Sequence, residues 1–141
     1  MDDILFTDPK SRSLWKPMMD VVEFHKKFGV PIRAQGKPAF PSQEEQQLRM
    51  DLIEEEFSEL YRAWDYENMV EVADALADLI YVCIGMALSF GIPLDVIWEE
   101  VHRTNMAKEG GGNRADGKIL KPEGWEPPRI KEILALDGYE E

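Results

Sequence analysis

The chain has 141 residues, 44% of them hydrophobic, and a formal charge of −12 from 28 acidic and 16 basic residues. That length and apolar content are enough for one domain with a real core and exclude a disordered chain. The charge excludes direct binding to a nucleic-acid backbone or an anionic membrane unless metal ions or a local basic patch intervene, and it suits metal-assisted chemistry on small anions.

At the start, Met1-Asp2-Asp3-Ile4 has neither the positive region nor the apolar stretch of a secretory signal, so no export is expected and residues 1–16 read as an extension. From Pro17 to Phe28 the spacing of Met18, Val21, Val22 and Phe28 predicts a helix stopped by Gly29. Val30 to Ser42 contains Pro31, Gly36, Pro38 and Pro41 and reads as a loop. Ser42 followed three residues later by Glu45 is a capping box that opens a second helix, running to about Trp64.

Asp65 to Asn68 makes a turn into a third helix, from about Met69 to Phe90, with Gly91 at its end. The longest uncharged run, Leu79 to Leu94, is shorter than the roughly 18 residues of a membrane span and is interrupted by Gly85, Ser89, Gly91 and Pro93, so it reads as a buried helix. Its Cys83, the single cysteine, reads as core filler; it allows no intramolecular disulfide and fits a reducing, cytoplasmic setting. Ile80, Val82, Ile84, Met86, Leu88 and Phe90 point in several directions around one axis, more than so short a chain can cover. A homodimer or homotetramer with this helix in the interface is therefore expected.

Pro93 is placed for the first turn of a fourth helix that runs to about Lys108. Gly110-Gly111-Gly112 then ends regular structure, and Asn113 to Pro128 is a turn-rich segment carrying Arg114, Lys118 and Lys121, the one basic stretch of note. A short helix from Arg129 to Leu136 closes an all-α chain, read as a single domain over 1–141, with no internal repeat and no sustained heptad.

Acids interrupt the apolar faces of the second and third helices. At about 100° per residue, with Asp78 at zero, Asp74 falls near about −40° and Glu71 near about +20°, on one narrow stripe. On the second helix Glu55, Glu56 and Glu59 share a face with Leu48, Leu52 and Ala63, while Glu54 points elsewhere. Unpaired carboxylates on such faces are costly to desolvate. Between Leu48 and Ser89 the only basic residues are Arg49 and Arg62. Hard oxygen donors without histidine or cysteine favour magnesium or manganese, more than one ion, over zinc or copper. The cations and exposed amides of the glycine-rich tail suit phosphate groups, so metals and cations together would bracket a polyphosphate and promote phosphoanhydride hydrolysis.

The Glu56-x-x-Glu59 pair, the Asp74-Ala75-Leu76-Ala77-Asp78-Leu79-Ile80-Tyr81-Val82 helix, the segment Val101 to Lys108, and Arg114-Ala115-Asp116-Gly117-Lys118 with Lys121-Pro122-Glu123-Gly124-Trp125 resemble the all-α nucleoside triphosphate pyrophosphohydrolase superfamily. That group includes MazG, phosphoribosyl-ATP pyrophosphohydrolase and the dimeric dUTPases, and the resemblance covers roughly Met18 to Ile130. It implies a MazG-like bundle that splits a nucleoside triphosphate into monophosphate and pyrophosphate. Magnesium would be held by Glu56, Glu59, Asp74 and Asp78, and Glu55 or Glu56 would orient the attacking water. The chain departs from the pattern at Ala75, where the family usually has glutamate; Asp74 replaces it, with Glu71 in reserve.

The resemblance further implies that Asn105 and Lys108 face metal and phosphates, that Arg114, Lys118 and Lys121 come over the substrate on a covering loop at 109–128, and that His25, Phe28 and Trp125 line the base pocket. Two other readings compete. A di-iron bundle would use Glu99-x-x-His102, but its second half is missing because Val22 stands three before His25. An acidic helical protein acting through protein contacts would explain the charge but not the acids on apolar faces.

Overall fold

The structure is a computed structural model that describes residues 15–33 and 37–140. Most of the expected extension, as well as Gly36 of the loop, lies outside the described residues. Five helices follow in order: α1 (Lys16–Phe28), α2 (Gln43–Asp65), α3 (Met69–Phe90), α4 (Leu94–Met106) and α5 (Ile130–Leu136). Among the described residues the only β pairing is an isolated bridge between Asn113 and Ile119.

Local signals set the helix limits. Gly29 ends α1 at φ 67°, and the Val30 N–H returns to the His25 carbonyl at 2.9 Å. Ser42 caps α2 by accepting from the Glu45 N–H at 3.3 Å. The expected capping box is only half made, because the Glu45 carboxylate turns away and accepts from the Ser89 hydroxyl at 2.7 Å. The turn after α2 is closed by Tyr66 and Asn68 N–H groups on the Arg62 and Ala63 carbonyls, both at 2.9 Å, and Asn68 caps α3 through Oδ1 on the Glu71 N–H at 3.2 Å. The fourth helix begins one residue later than expected, with Pro93 as its N-cap, and ends at Met106 instead of Lys108.

So short a turn makes α2 and α3 an antiparallel hairpin, which is the most extensive helix pairing in the molecule. Buried Ala63 and Ala75 let the two backbones approach closely. On the other side α3 meets α1 in a core of Met18, Val21, Val22, Ile84 and Leu88, with Trp15, Met19, Ile32 and Leu94 packed around it. Each such side chain contributes roughly 1.5–3 kcal/mol when fully buried. The loop after α1 satisfies the end of α3: Arg33 and Ala39 donate to the Leu88 and Phe90 carbonyls at 2.8 and 2.9 Å. Gly91 is required there, since φ is 72° and a Cβ would stand 2.6 Å from the Arg33 carbonyl oxygen. At the far end α4 packs on α5, where Glu100 receives the Arg129 N–H at 2.7 Å and the Arg103 guanidinium; these bonds hold its carboxyl down at about 2.

The third helix is not buried all round. It is long and apolar enough, by length and composition alone, to cross a membrane, yet only 33% of its most apolar stretch is buried within the chain. Ile84 and Leu88 face the core, whereas Leu76, Ile80 and Cys83 are exposed, so the thiol is not core filler. Its acids Glu71, Asp74 and Asp78 and its pairing with the charged α2 fit the helix of a packed bundle.

Candidate active site

The hairpin turns two sequence stripes into one site. Because α2 and α3 run antiparallel from a tight turn, the last turns of α2 lie across from the first turns of α3. Glu59 and Arg62 from α2, with Glu71, Asp74 and Ala75 from α3, line a cleft of about 290 Å³. One turn further from the hairpin tip lie Glu56 and Asp78. The Glu56 Oε2 is shielded from solvent and has no hydrogen-bond partner. That desolvation raises the proton affinity of Glu56, and the charges of Glu59, Asp78 and Glu55 add to the effect. Asp78 is raised in the same way by burial, then by Asp74 and Glu59. Each helix therefore feels the carboxylates of the other.

Among the described residues no three of these groups are gathered tightly enough to hold an ion as they stand. Like charges spread apart unless a cation offsets their repulsion, so proximity strong enough to shift Glu56 and Asp78 is compatible with side chains not yet converged. The donor set is all carboxylate oxygen, one of it buried and orphaned, and it fits a hard divalent cation.

The site changes the weight of several residues. Glu71, held in reserve from the sequence, lines the cleft beside Asp74, and the i, i+3 spacing of the two at the start of α3 is a signal already present in the chain. Ala75, 3% exposed, lines the same cleft beside them without a carboxylate of its own. Glu54 and Glu55 are exposed, and only Glu55 acts on Glu56.

His25 does not line an open pocket. It is 2% exposed, its Nδ1 lies 3.2 Å from the Pro31 carbonyl oxygen, and burial with the nearby Arg49 charge lowers its proton affinity. The aromatic surface near the acids comes from its neighbours. Phe28 packs on Phe24 at 4.7 Å between centroids, and Phe24 meets Tyr81 edge-on at 5.5 Å, one helical turn beyond Asp78. Tyr81 lies within the 74–82 motif, whereas Phe24 belongs to none; only the packing of α1 on α3 brings them together.

The cations of the tail form a separate group. Lys108 and Lys121 lie over the Trp125 ring at 5.4 and 4.9 Å, and the Trp125 indole N–H donates to the Thr104 carbonyl at 2.7 Å. Arg114 is engaged by Asp116 through two bonds of 2.9 and 2.6 Å, and the Lys118 N–H also donates to Asp116. Asn105 is exposed in the last turn of α4. Among the described residues no ion pair joins this group directly to the acids of α2 and α3. The di-iron arrangement fails, since His102 is exposed on α4 and His25 is in the core.

A model of the phosphoribosyl-ATP pyrophosphohydrolase family matches residues 21–105, taking in α2, α3 and most of α1 and α4. An uncharacterized protein of Acanthamoeba polyphaga mimivirus is 42% identical over 77 residues, 53% of this chain and 31% of that protein, so the chain spans about a third of that relative's length. With both acid-bearing helices inside a match that covers more than half of its residues, the chain belongs to the phosphoribosyl-ATP pyrophosphohydrolase family, within the all-α MazG-like superfamily.

Proposed function

We propose that the protein is a magnesium-dependent nucleoside triphosphate pyrophosphohydrolase that releases a nucleoside monophosphate and pyrophosphate. The observation that carries this reading is the pairing of acids across one hairpin, with Glu56 Oε2 shielded and unpartnered at its centre. Glu56, Glu59, Asp74 and Asp78, joined by Glu71, would hold magnesium, or manganese in its place. When bound, such ions polarise phosphoryl oxygens and offset charge on the leaving group.

The chain's own carboxylates orient the water. Glu56, with its raised proton affinity, or Glu55 beside it takes a proton from a water whose oxygen bonds to the α-phosphorus. The P–O bond between the α- and β-phosphates breaks, and its electron pair leaves with pyrophosphate. Phe24, Phe28 and Tyr81 provide a surface on which a base can stack, the role expected of His25. Asn105, Lys108, Lys118, Lys121 and Trp125 come to the phosphates from a second copy of the chain. This assignment is supported by the exposed apolar residues of α2 and α3 and by the lack, among the described residues, of any ion pair between those acids and these cations. A homodimer or homotetramer follows from it.

A panel of nucleoside triphosphates incubated with protein and magnesium tests the activity. Monophosphate and pyrophosphate are the expected primary products; orthophosphate with a diphosphate would sink the mechanism.

A further inference from the structure

Arg62 is a cation placed among acids that does not pair with them. It lines the 290 Å³ cleft with Glu59, Glu71 and Asp74, yet among the described residues it forms no ion pair or side-chain hydrogen bond. Arg49, the other basic residue of the hairpin, is 6% exposed and faces the core, so Arg62 is the guanidinium of the α2–α3 hairpin available to a ligand in the cleft. A planar fork of donors suits phosphate oxygens, which it can engage two at a time.

Position along the hairpin gives Arg62 a particular phosphate. The aromatic surface of Phe24, Phe28 and Tyr81 lies on the core side of Asp78, and Arg62 lies on the tip side of Asp74. At about 1.5 Å per residue, Tyr81 and Glu71 are about 15 Å apart along α3, a distance on the scale of an extended nucleoside triphosphate from base to terminal phosphate. With the base on the aromatic surface and the reacting phosphorus at the acids, the terminal phosphates reach the tip. We propose that Arg62 binds the leaving pyrophosphate and thereby sets the direction in which the substrate lies in the cleft. This rests on the hydrolase reading for the site, but not on turnover for its test. In the reaction Arg62 exchanges no proton; it receives the oxygens on which the electron pair of the broken α–β P–O bond comes to rest.

The test is calorimetric titration of inorganic pyrophosphate, in the presence of magnesium, into the intact protein and into Arg62→Gln and Arg62→Lys, alongside titration of nucleoside monophosphates. Arg62→Gln is expected to weaken pyrophosphate binding by roughly tenfold or more and to leave monophosphate binding and the melting temperature unchanged. Arg62→Lys, which keeps the charge and loses the fork, should fall between. In turnover the same variants should lose product inhibition by pyrophosphate and lower kcat more than they change KM. Unchanged pyrophosphate binding in Arg62→Gln overturns the proposal, as does a wild-type protein that binds no pyrophosphate. A loss confined to the monophosphate overturns it too, because the substrate would then lie the other way round. A protein that binds pyrophosphate through Arg62 but hydrolyses no triphosphate refutes the hydrolase reading and leaves standing only the pyrophosphate contact of Arg62, not its part in a leaving step.

Discussion

The Ser89 hydroxyl donates to the Glu45 carboxylate at 2.7 Å, tying the last turn of α3 to the first turn of α2 across 44 positions of sequence. The charge of the same carboxylate also acts on the buried Arg49, partly opposing the effect of its burial. Ser89→Ala leaves an acceptor that already faces a cation, and should cost about 1–2 kcal/mol. Glu45→Ala removes both the acceptor of the Ser89 hydroxyl and the acidic charge that acts on Arg49, and should cost more than Ser89→Ala. Urea unfolding of the two variants checks the order.

Gly85 provides the space that Arg49 and His25 share. A Cβ at this position would lie 3.0 Å from Arg49 Nη1 and 3.3 Å from His25 Nε2. Gly85→Ala gains helix propensity, worth about 0.8–1 kcal/mol, but crowds two groups that are themselves buried, and overpacking of this kind costs about 1–3 kcal/mol. A net loss of stability is the expected outcome, read as a lower midpoint in denaturant.

His25 gives the fold a dependence on acid. Burial, and less strongly the Arg49 charge, lower its folded pKa below the ordinary 6.5, while the Pro31 carbonyl and Glu45 partly oppose the shift. The unfolded chain therefore binds the proton more readily, and stability falls as pH drops from 6.5 toward the lowered folded value. His25→Gln should flatten the stability profile in that window. A profile equally steep in the variant would exclude His25 as the source.

The acids of the cleft act with the opposite sign. Glu56 and Asp78 are raised above 4.5 and 3.8 in the fold, so without metal they oppose folding at neutral pH and this cost is relieved as pH falls through their raised values. Glu56→Gln and Asp78→Asn should each raise the melting temperature of metal-free protein while lowering activity by orders of magnitude, and Glu54→Gln should do neither. Magnesium at about 100 times its dissociation constant should stabilise the parent by about 2.7 kcal/mol and the two variants much less. Thermal melts with and without magnesium decide the point.

Self-association is tested on the exposed side of α3. Leu76 and Ile80 are 47% and 53% exposed, whereas Ile84 and Leu88 are 1% exposed in the core, so charges at the latter two unfold the chain whatever its assembly. Ile80→Lys should shift sedimentation toward monomer with helicity retained, and activity should fall with it. An active monomer of the parent protein would remove the second copy from the proposed site.

What the sequence determined by itself was local. Helix limits follow from Gly29, Ser42, Asn68 and Gly91 because caps and stops act on backbone within a few residues, and the acid stripes follow from helical period alone. The tertiary structure decided what each polar side chain meets. Glu45 pairs with Ser89 and not with its own cap, His25 is enclosed and not offered to a ligand, and Arg62 of one helix is brought into a cleft with Glu71 and Asp74 of the other. The reason is that burial and charge at a side chain depend on distant elements brought alongside it. The antiparallel closure of α2 on α3 and the packing of α1 over α3 create those surroundings, and no spacing along one helix contains them.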